Sequence, residues 1–114
     1  MAYDERLAAR IRAYVASEPG ITEKQMFGGL AFMLNGNVAV AASGQGGLLV
    51  RVDPAASDAL VATSPAREME MRGRAMPGWL RVDSADVESD EALSEWVERG
   101  VAYARSLTQR RRNA

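Results

Sequence analysis

The chain has 114 residues, of which 47% are hydrophobic, and a formal net charge of −1. These values are typical of one globular domain, and the near-zero charge gives no general attraction to nucleic acid or acidic membranes. Cysteine and histidine are both absent, which excludes disulfides, thiolate metal sites, cysteine nucleophiles and catalysis by an imidazole. We therefore expect a protein without catalytic residues, metal or cofactor.

The N-terminal segment is predicted to form an amphipathic helix over residues 4–17, with Leu7, Ile11, Tyr14 and Val15 at helical spacing. Pro19-Gly20 ends it. No apolar run approaches the roughly 20 residues of a membrane span, and the first ten residues lack an apolar signal core. We therefore expect a cytoplasmic protein with no membrane partner.

Residues 25–42 carry the strongest structural signal. Asn35-Gly36 lies between two apolar runs, which predicts a hairpin with a two-residue turn. The predicted pairs are Leu34–Asn37, Met33–Val38, Phe32–Ala39 and Ala31–Val40. Strand alternation then gives one face with Leu30, Phe32, Ala39 and Ala41, and another with Ala31, Met33, Val38 and Val40. Because both faces are apolar, we expect a central hairpin whose second face is a contact surface if helices cover only the first.

The remaining elements follow from periodicity and turn residues. Residues 22–27 form either a strand of their own or the first half of the hairpin, and Gly28-Gly29 predicts a bulge or a bend. We further predict a strand at 48–52, a short helix at 54–62, strands at 67–72 and 79–82, and a helix at 90–107 in which Gly100 permits close packing. This order, α-β-β-β-α-β-β-α, favours an α+β fold with two layers, a largely antiparallel five-stranded sheet and helices on one face. The second helix is alternatively a crossover between parallel strands.

The candidate interaction surface lies on the outward side of these strands. Trp79 is predicted to point outward together with Arg51, Glu68 and Glu70, and tryptophan and arginine are the residue types that most often anchor protein interfaces. An alternative is that Trp79 packs under a loop of its own chain. The candidate surface comprises Met33, Val40, Arg51, Trp79 and Arg81.

Two other functions are weighed against an interaction role. A small enzyme would have to use carboxylates such as Glu68 and Glu70, or Lys24, the only lysine of the chain; solvent exposure is the competing interpretation. A nucleic-acid-binding accessory protein would use Arg110, Arg111 and Arg112 for weak phosphate contacts without sequence readout. These arginines lie in a basic tail, 108–114, which is predicted to be disordered and to follow a single domain, 1–107.

Two motifs give a resemblance that covers nearly the whole chain, residues 3–107. The first motif is Met26-Phe27-Gly28-Gly29, and the second is Gly78-Trp79, which follows Gly73 and Met76. In order and spacing these motifs resemble those of the TfoX N-terminal domain family (TfoX/Sxy family). The resemblance implies a secretion-chaperone-like topology and a stand-alone version of the N-terminal module of bacterial competence regulators. It further implies a non-enzymatic regulatory or protein-interaction role, with a protein partner or a homodimer. Its signature residues are Met26, Phe27, Gly28, Gly29, Gly78 and Trp79.

Overall fold

The computed structural model describes the backbone of residues 3–26, 28–71 and 73–112, and the side chains of the same residues other than 71 and 109–112. Within these residues the helices are α1 (Glu5–Val15), α2 (Ser57–Thr63) and α3 (Asp90–Arg112). The strands are β1 (Ile21–Met26), β2 (Gly29–Leu34), β3 (Asn37–Ala42), β4 (Leu48–Arg51), β5 (Arg67–Met71) and β6 (Arg74–Val82). No described helix has the length and apolar character needed to cross a membrane.

The strands form one sheet in the order β1-β2-β3-β4-β6-β5, and every neighbouring pair is antiparallel. The α+β class is therefore confirmed. The second helix was alternatively predicted to be a crossover between parallel strands. Helix α2 does join two strands that run in the same direction, β4 and β5, but β6 lies between them in the sheet. This placement brings the edge strand β5 beside Trp79 and Arg81 of β6.

The predicted count of five strands is wrong, because the sheet has six. The segment before Gly28-Gly29 is a complete strand, and Met26 pairs with Gly29 across a two-residue reversal. Gly28 has a φ of 70°, a conformation that glycine adopts without the steric cost other residues incur. Gly28 therefore lies in the reversal between β1 and β2, and Gly29 begins β2, so the glycine pair starts a hairpin strand and does not form the predicted bulge or bend.

The hairpin at Asn35-Gly36 is present, with φ angles of 50° and 86° at the two turn residues. The pairs Leu34–Asn37 and Met33–Val38 are confirmed, but a bulge then shifts the register so that Phe32 pairs with Val40 and Ala31 with Ala41. The predicted pairs Phe32–Ala39 and Ala31–Val40 are wrong, because Ala39 is the extra residue. Ala39 and Val40 consequently both lie on the side of the sheet that the helices cover.

The main core lies between the helices and that side of the sheet, which we call the inner face. Asp4 caps the N-terminus of α1, because its carboxylate accepts hydrogen bonds from the Arg6 and Leu7 amides. The buried residues of α3 recur at helical spacing, whereas Tyr14, which was predicted to belong to the apolar stripe of the first helix, is 38% exposed. The buried hydrophobic residues of the helices are Leu7, Ala8, Ile11, Val15, Leu93, Trp96, Val97, Val101 and Ala104.

Helix α3 is seated directly on the bulge of β3. A Cβ built on Gly100 would lie 2.3 Å from the Ala39 carbonyl oxygen, so only glycine permits this approach, as predicted. The helix continues beyond its predicted end at Leu107 to Arg112. Helical backbone therefore extends into the segment predicted as a disordered tail, while the side chains of Arg110, Arg111 and Arg112 lie outside the described residues.

Candidate functional site: the outer face of the sheet

The face of the sheet opposite the helices, here called the outer face, carries a second apolar cluster that contains only strand residues. Met26, Met33 and Trp79 are partly buried and pack around its centre. The buried residues of this outer cluster are Ala31, Val38, Ala41, Leu49 and Met69. The buried apolar residues of the helices belong to the main core, so among the described residues the outer cluster contains no helix residue.

Strand register explains how the cluster is built. Ala31 pairs with Ala41, and Ala41 pairs with Leu49, so these three residues form one row across β2, β3 and β4. The alanines contribute little side-chain volume, and the unbranched thioether side chains of Met26 and Met33 are well suited to filling the space beside them. The centre of the face is therefore apolar and bordered by adaptable side chains.

Basic residues extend the same row at both ends. Lys24 of β1 pairs with Ala31 on one side, and Arg81 of β6 pairs with Leu49 on the other. Arg67 of β5 lies beyond Arg81. The outer cluster is thus flanked by basic side chains along the direction that crosses the strands.

Arg51 and Arg81 are held in place by contacts within the chain. The Arg51 guanidinium carbon lies 5.3 Å from the ring centroid of Trp79 and 5.7 Å from that of Tyr103 in α3, distances at which a cation is attracted to an aromatic face. The Arg81 guanidinium donates a hydrogen bond of 3.2 Å to the Gly46 carbonyl. The Arg51 guanidinium therefore lies between a ring of the outer face and a ring of α3, whereas the Arg81 guanidinium is oriented by the β3–β4 turn.

Ion pairing differs between the two faces. On the helix side Arg10, Arg12 and Arg105 are paired with Asp90, Glu23 and Glu18 respectively. Across the described part of the chain, no carboxylate lies within ion-pairing distance of Lys24, Arg51 or Arg81, whereas Arg67 is paired with Asp83 at 2.6 Å. Within the described residues, Lys24, Arg51 and Arg81 thus have no direct ion-pair partner, although Glu68 and Glu70 line the same cleft as Arg81.

The shifted pKa values lie on the helix side. The guanidinium of Arg12 donates hydrogen bonds of 2.6 and 2.8 Å to the Glu23 carboxylate, and this interaction lowers the pKa of Glu23 and raises that of Arg12. A hydrogen bond to Glu18 likewise raises the pKa of Arg105. These pairs join α1 to β1 and α3 to the segment after α1, so they support the scaffold.

Four of the five predicted interaction residues lie on the outer face: Met33, Arg51, Trp79 and Arg81. Val40 does not, because the bulge turns it inward, where it is fully buried in the main core. The prediction that Glu68 accompanies Trp79 on the outer face is also wrong, since Glu68 pairs with Leu80 of the main core and Met69 occupies the outer face instead. Sequence reasoning missed Ala41 and Met69, whose positions depend on the two bulges.

The family signature residues divide into two groups. Gly28, Gly29 and Gly78 shape the backbone: a Cβ on Gly29 would lie 1.9 Å from the Ala42 carbonyl oxygen, and Gly78 has a φ of 87°. Met26 and Trp79 belong to the border of the outer cluster, while Phe27 lies outside the described residues. The signature thus both forms the turns and places apolar side chains on the outer face.

A buried serine that the sequence did not indicate positions Trp79. The Ser57 hydroxyl accepts a hydrogen bond of 2.7 Å from the Gly78 amide, and Ser57 is only 2% exposed. The bond fixes the backbone immediately before Trp79. No local pattern reveals this role, because the two residues come together only through the packing of α2 beside β6.

The residues considered for catalysis occupy ordinary positions. Lys24 and Glu70 are exposed, and Glu68 is half-buried. Glu68 and Glu70 line an open cleft of about 590 Å³ together with Arg67 and Arg81. Among the described residues, no group of three or more acidic side chains is placed to hold a metal ion.

The chain matches a known protein family. A model of the TfoX N-terminal domain family matches residues 13–104, a span that includes every residue of the outer cluster. No curated protein sequence matches the chain.

Proposed function

The chain belongs to the TfoX N-terminal domain family, and on this basis we propose that it is a non-enzymatic regulatory module that binds another protein through the outer face of its sheet. The observation that carries the proposal is the outer cluster, an apolar cluster of strand residues on the face opposite the helices. It is bordered by Lys24 and Arg81, which have no carboxylate within ion-pairing distance in the described part of the chain. Catalysis has no part in this function.

The residue types of the outer face suit protein binding. Tryptophan, methionine and arginine are enriched in the centres of protein interfaces. Met26, Met33 and Trp79 are partly buried, so each has apolar surface that a partner would remove from water. A methionine side chain changes rotamer at little cost, which allows one surface to fit a partner closely.

The chemistry of the chain supports binding rather than reaction. Without histidine or cysteine, catalysis would depend on carboxylates, tyrosine, arginine or Lys24. Lys24 and Glu70 are exposed to solvent, whereas catalytic groups of these types are usually activated by burial or by a close charged neighbour. The outer face offers shape, apolar surface and charge instead.

Site-specific photo-crosslinking in the native cells tests the proposal. A photoreactive amino acid replaces Met33 on the outer face in one variant and Ala102, exposed on α3, in the control variant. We expect crosslinks to another protein from position 33 and none from position 102. Crosslinks from position 102 alone, or from neither position in a protein that remains folded, would refute a binding role for the outer face.

A further inference from the structure

Building on the proposed function, we infer that the outer face binds an acidic amphipathic segment, with an apolar stripe flanked by carboxylates, rather than a second copy of this chain. The inference rests on the arrangement of charge around the outer cluster. Lys24 lies on one side of the apolar row, Arg81 lies on the other, and Arg51 is stacked on Trp79 beside it.

The spacing of the cations suits a helix. Lys24 and Arg81 are on β1 and β6, which are separated by β2, β3 and β4. Four strand-to-strand spacings of about 4.8 Å place these two positions about 19 Å apart. An α-helix with its side chains is about 10–12 Å across, so it fits between the cations. Its apolar stripe would contact the partly buried Met33 and Trp79, because the residues of the row itself are fully buried. Carboxylates on both flanks of such a helix would reach the two cations.

A second copy is disfavoured by charge. A symmetric dimer that pairs two outer faces brings each face against itself, and the charged residues that strand pairing places on this face are the basic ones: Lys24, Arg51, Arg67 and Arg81. Within the described residues only Arg67 among these has a carboxylate partner. Juxtaposed like charges oppose association, whereas an acidic segment would neutralise them.

A single strand of nucleic acid also carries negative charge, but it binds protein surfaces largely by stacking its bases on aromatic side chains. In the described part of the outer cluster, Trp79 is the only aromatic residue, and its ring already contacts Arg51. The remaining members are alanine, valine, leucine and methionine, which match an apolar stripe better than a series of bases.

Fluorescence anisotropy with the full chain tests the inference. Three labelled peptides share a leucine stripe in a helix-forming sequence of about 16 residues and carry glutamate, glutamine or lysine on both flanks. A labelled oligothymidine of similar length is the fourth probe. We expect the glutamate peptide to bind most tightly, with an affinity that falls as salt is added.

Two charge reversals provide the matched comparison. Lys24→Glu changes an exposed cation on the outer face, and Arg6→Glu makes the equivalent charge reversal on α1, where Arg6 is also exposed. We expect Lys24→Glu to lower the affinity for the glutamate peptide about fivefold. Arg6→Glu should leave that affinity unchanged. Circular dichroism verifies that both variants are folded.

The inference is overturned if the three peptides bind equally, if none binds, if the lysine peptide or the oligothymidine binds best, or if the two charge reversals have equal effects. It is also overturned if sedimentation shows a dimer that Met33→Lys dissociates. Crosslinks from position 33 together with any of these results would leave the binding role of the outer face intact and reject only the acidic partner.

Discussion

Replacing Gly100 with alanine should destabilise the protein even though alanine is the better helix former. In an exposed helix interior the change from glycine to alanine is favourable by about 1 kcal/mol. Gly100, however, is buried where α3 crosses β3, and a Cβ there would lie 2.3 Å from the Ala39 carbonyl oxygen and 2.9 Å from Val40 Cγ1. The contact between α3 and β3 therefore disfavours alanine at this position, although alanine has the higher helix propensity.

The size of the destabilisation follows from the distance between the new Cβ and the Ala39 carbonyl oxygen. Carbon and carbonyl oxygen normally approach no closer than about 3.3 Å, so α3 would have to move away from the sheet by about 1 Å. Overpacking of this kind costs about 1–3 kcal/mol. The upper part of that range applies, because the obstructing atom is backbone in a central strand. Subtracting the gain in helix propensity leaves a net loss of about 1–2 kcal/mol in the free energy of unfolding.

Urea denaturation followed by tryptophan fluorescence measures this change, and Ala102→Gly is the control. Ala102 is exposed on the same helix, so that substitution should cost about 1 kcal/mol through helix propensity alone. If Gly100→Ala left the protein as stable as the parent, or made it more stable, α3 would not be seated on the Ala39 carbonyl, and the packing described for α3 on β3 would be wrong.

Three further substitutions test other contacts by urea denaturation. Ser57→Ala removes the buried acceptor of the Gly78 amide and should lower the free energy of unfolding by about 1–3 kcal/mol; a loss equal to that of the exposed Ser17→Ala would contradict this role. Gly36→Ala has free space around the new Cβ but a φ of 86°, so we expect a loss of about 1 kcal/mol from backbone strain alone, and no loss would rule out the turn geometry. Glu23→Gln tests pH dependence: because the Arg12 hydrogen bond lowers the pKa of Glu23, its stabilisation is present above the ordinary glutamate pKa and is lost as the pH falls through the lowered value. The wild-type advantage in urea midpoint at pH 7 should therefore shrink progressively as the pH falls below the ordinary glutamate pKa. An advantage that stays constant as acid is added would refute the ion-pair explanation.

The residues of the outer face show how far the sequence predicts a binding site. Strand alternation placed Met33, Arg51, Trp79 and Arg81 on the outward side, and the structure agrees. The same alternation failed for Val40, because the inserted Ala39 reverses the orientation of the residues that follow it. It failed again between Glu68 and Glu70, where the register with β6 shifts. Each bulge changes which face a side chain occupies, and neither has a clear local signal.

The sequence by itself determined what depends on neighbours along the chain. Asn35-Gly36 set the hairpin turn, the spacing of apolar residues set the buried stripe of α3, and the missing histidine and cysteine removed most catalytic chemistry. Tertiary structure decided what depends on distant segments: the close approach of Gly100 to Ala39, the Ser57–Gly78 bond, and the insertion of β6 between β4 and β5. The reason is physical, because a turn or a helical stripe is fixed by interactions over a few residues, whereas register, bulges and the composition of a sheet face are fixed only when strands and helices pack together.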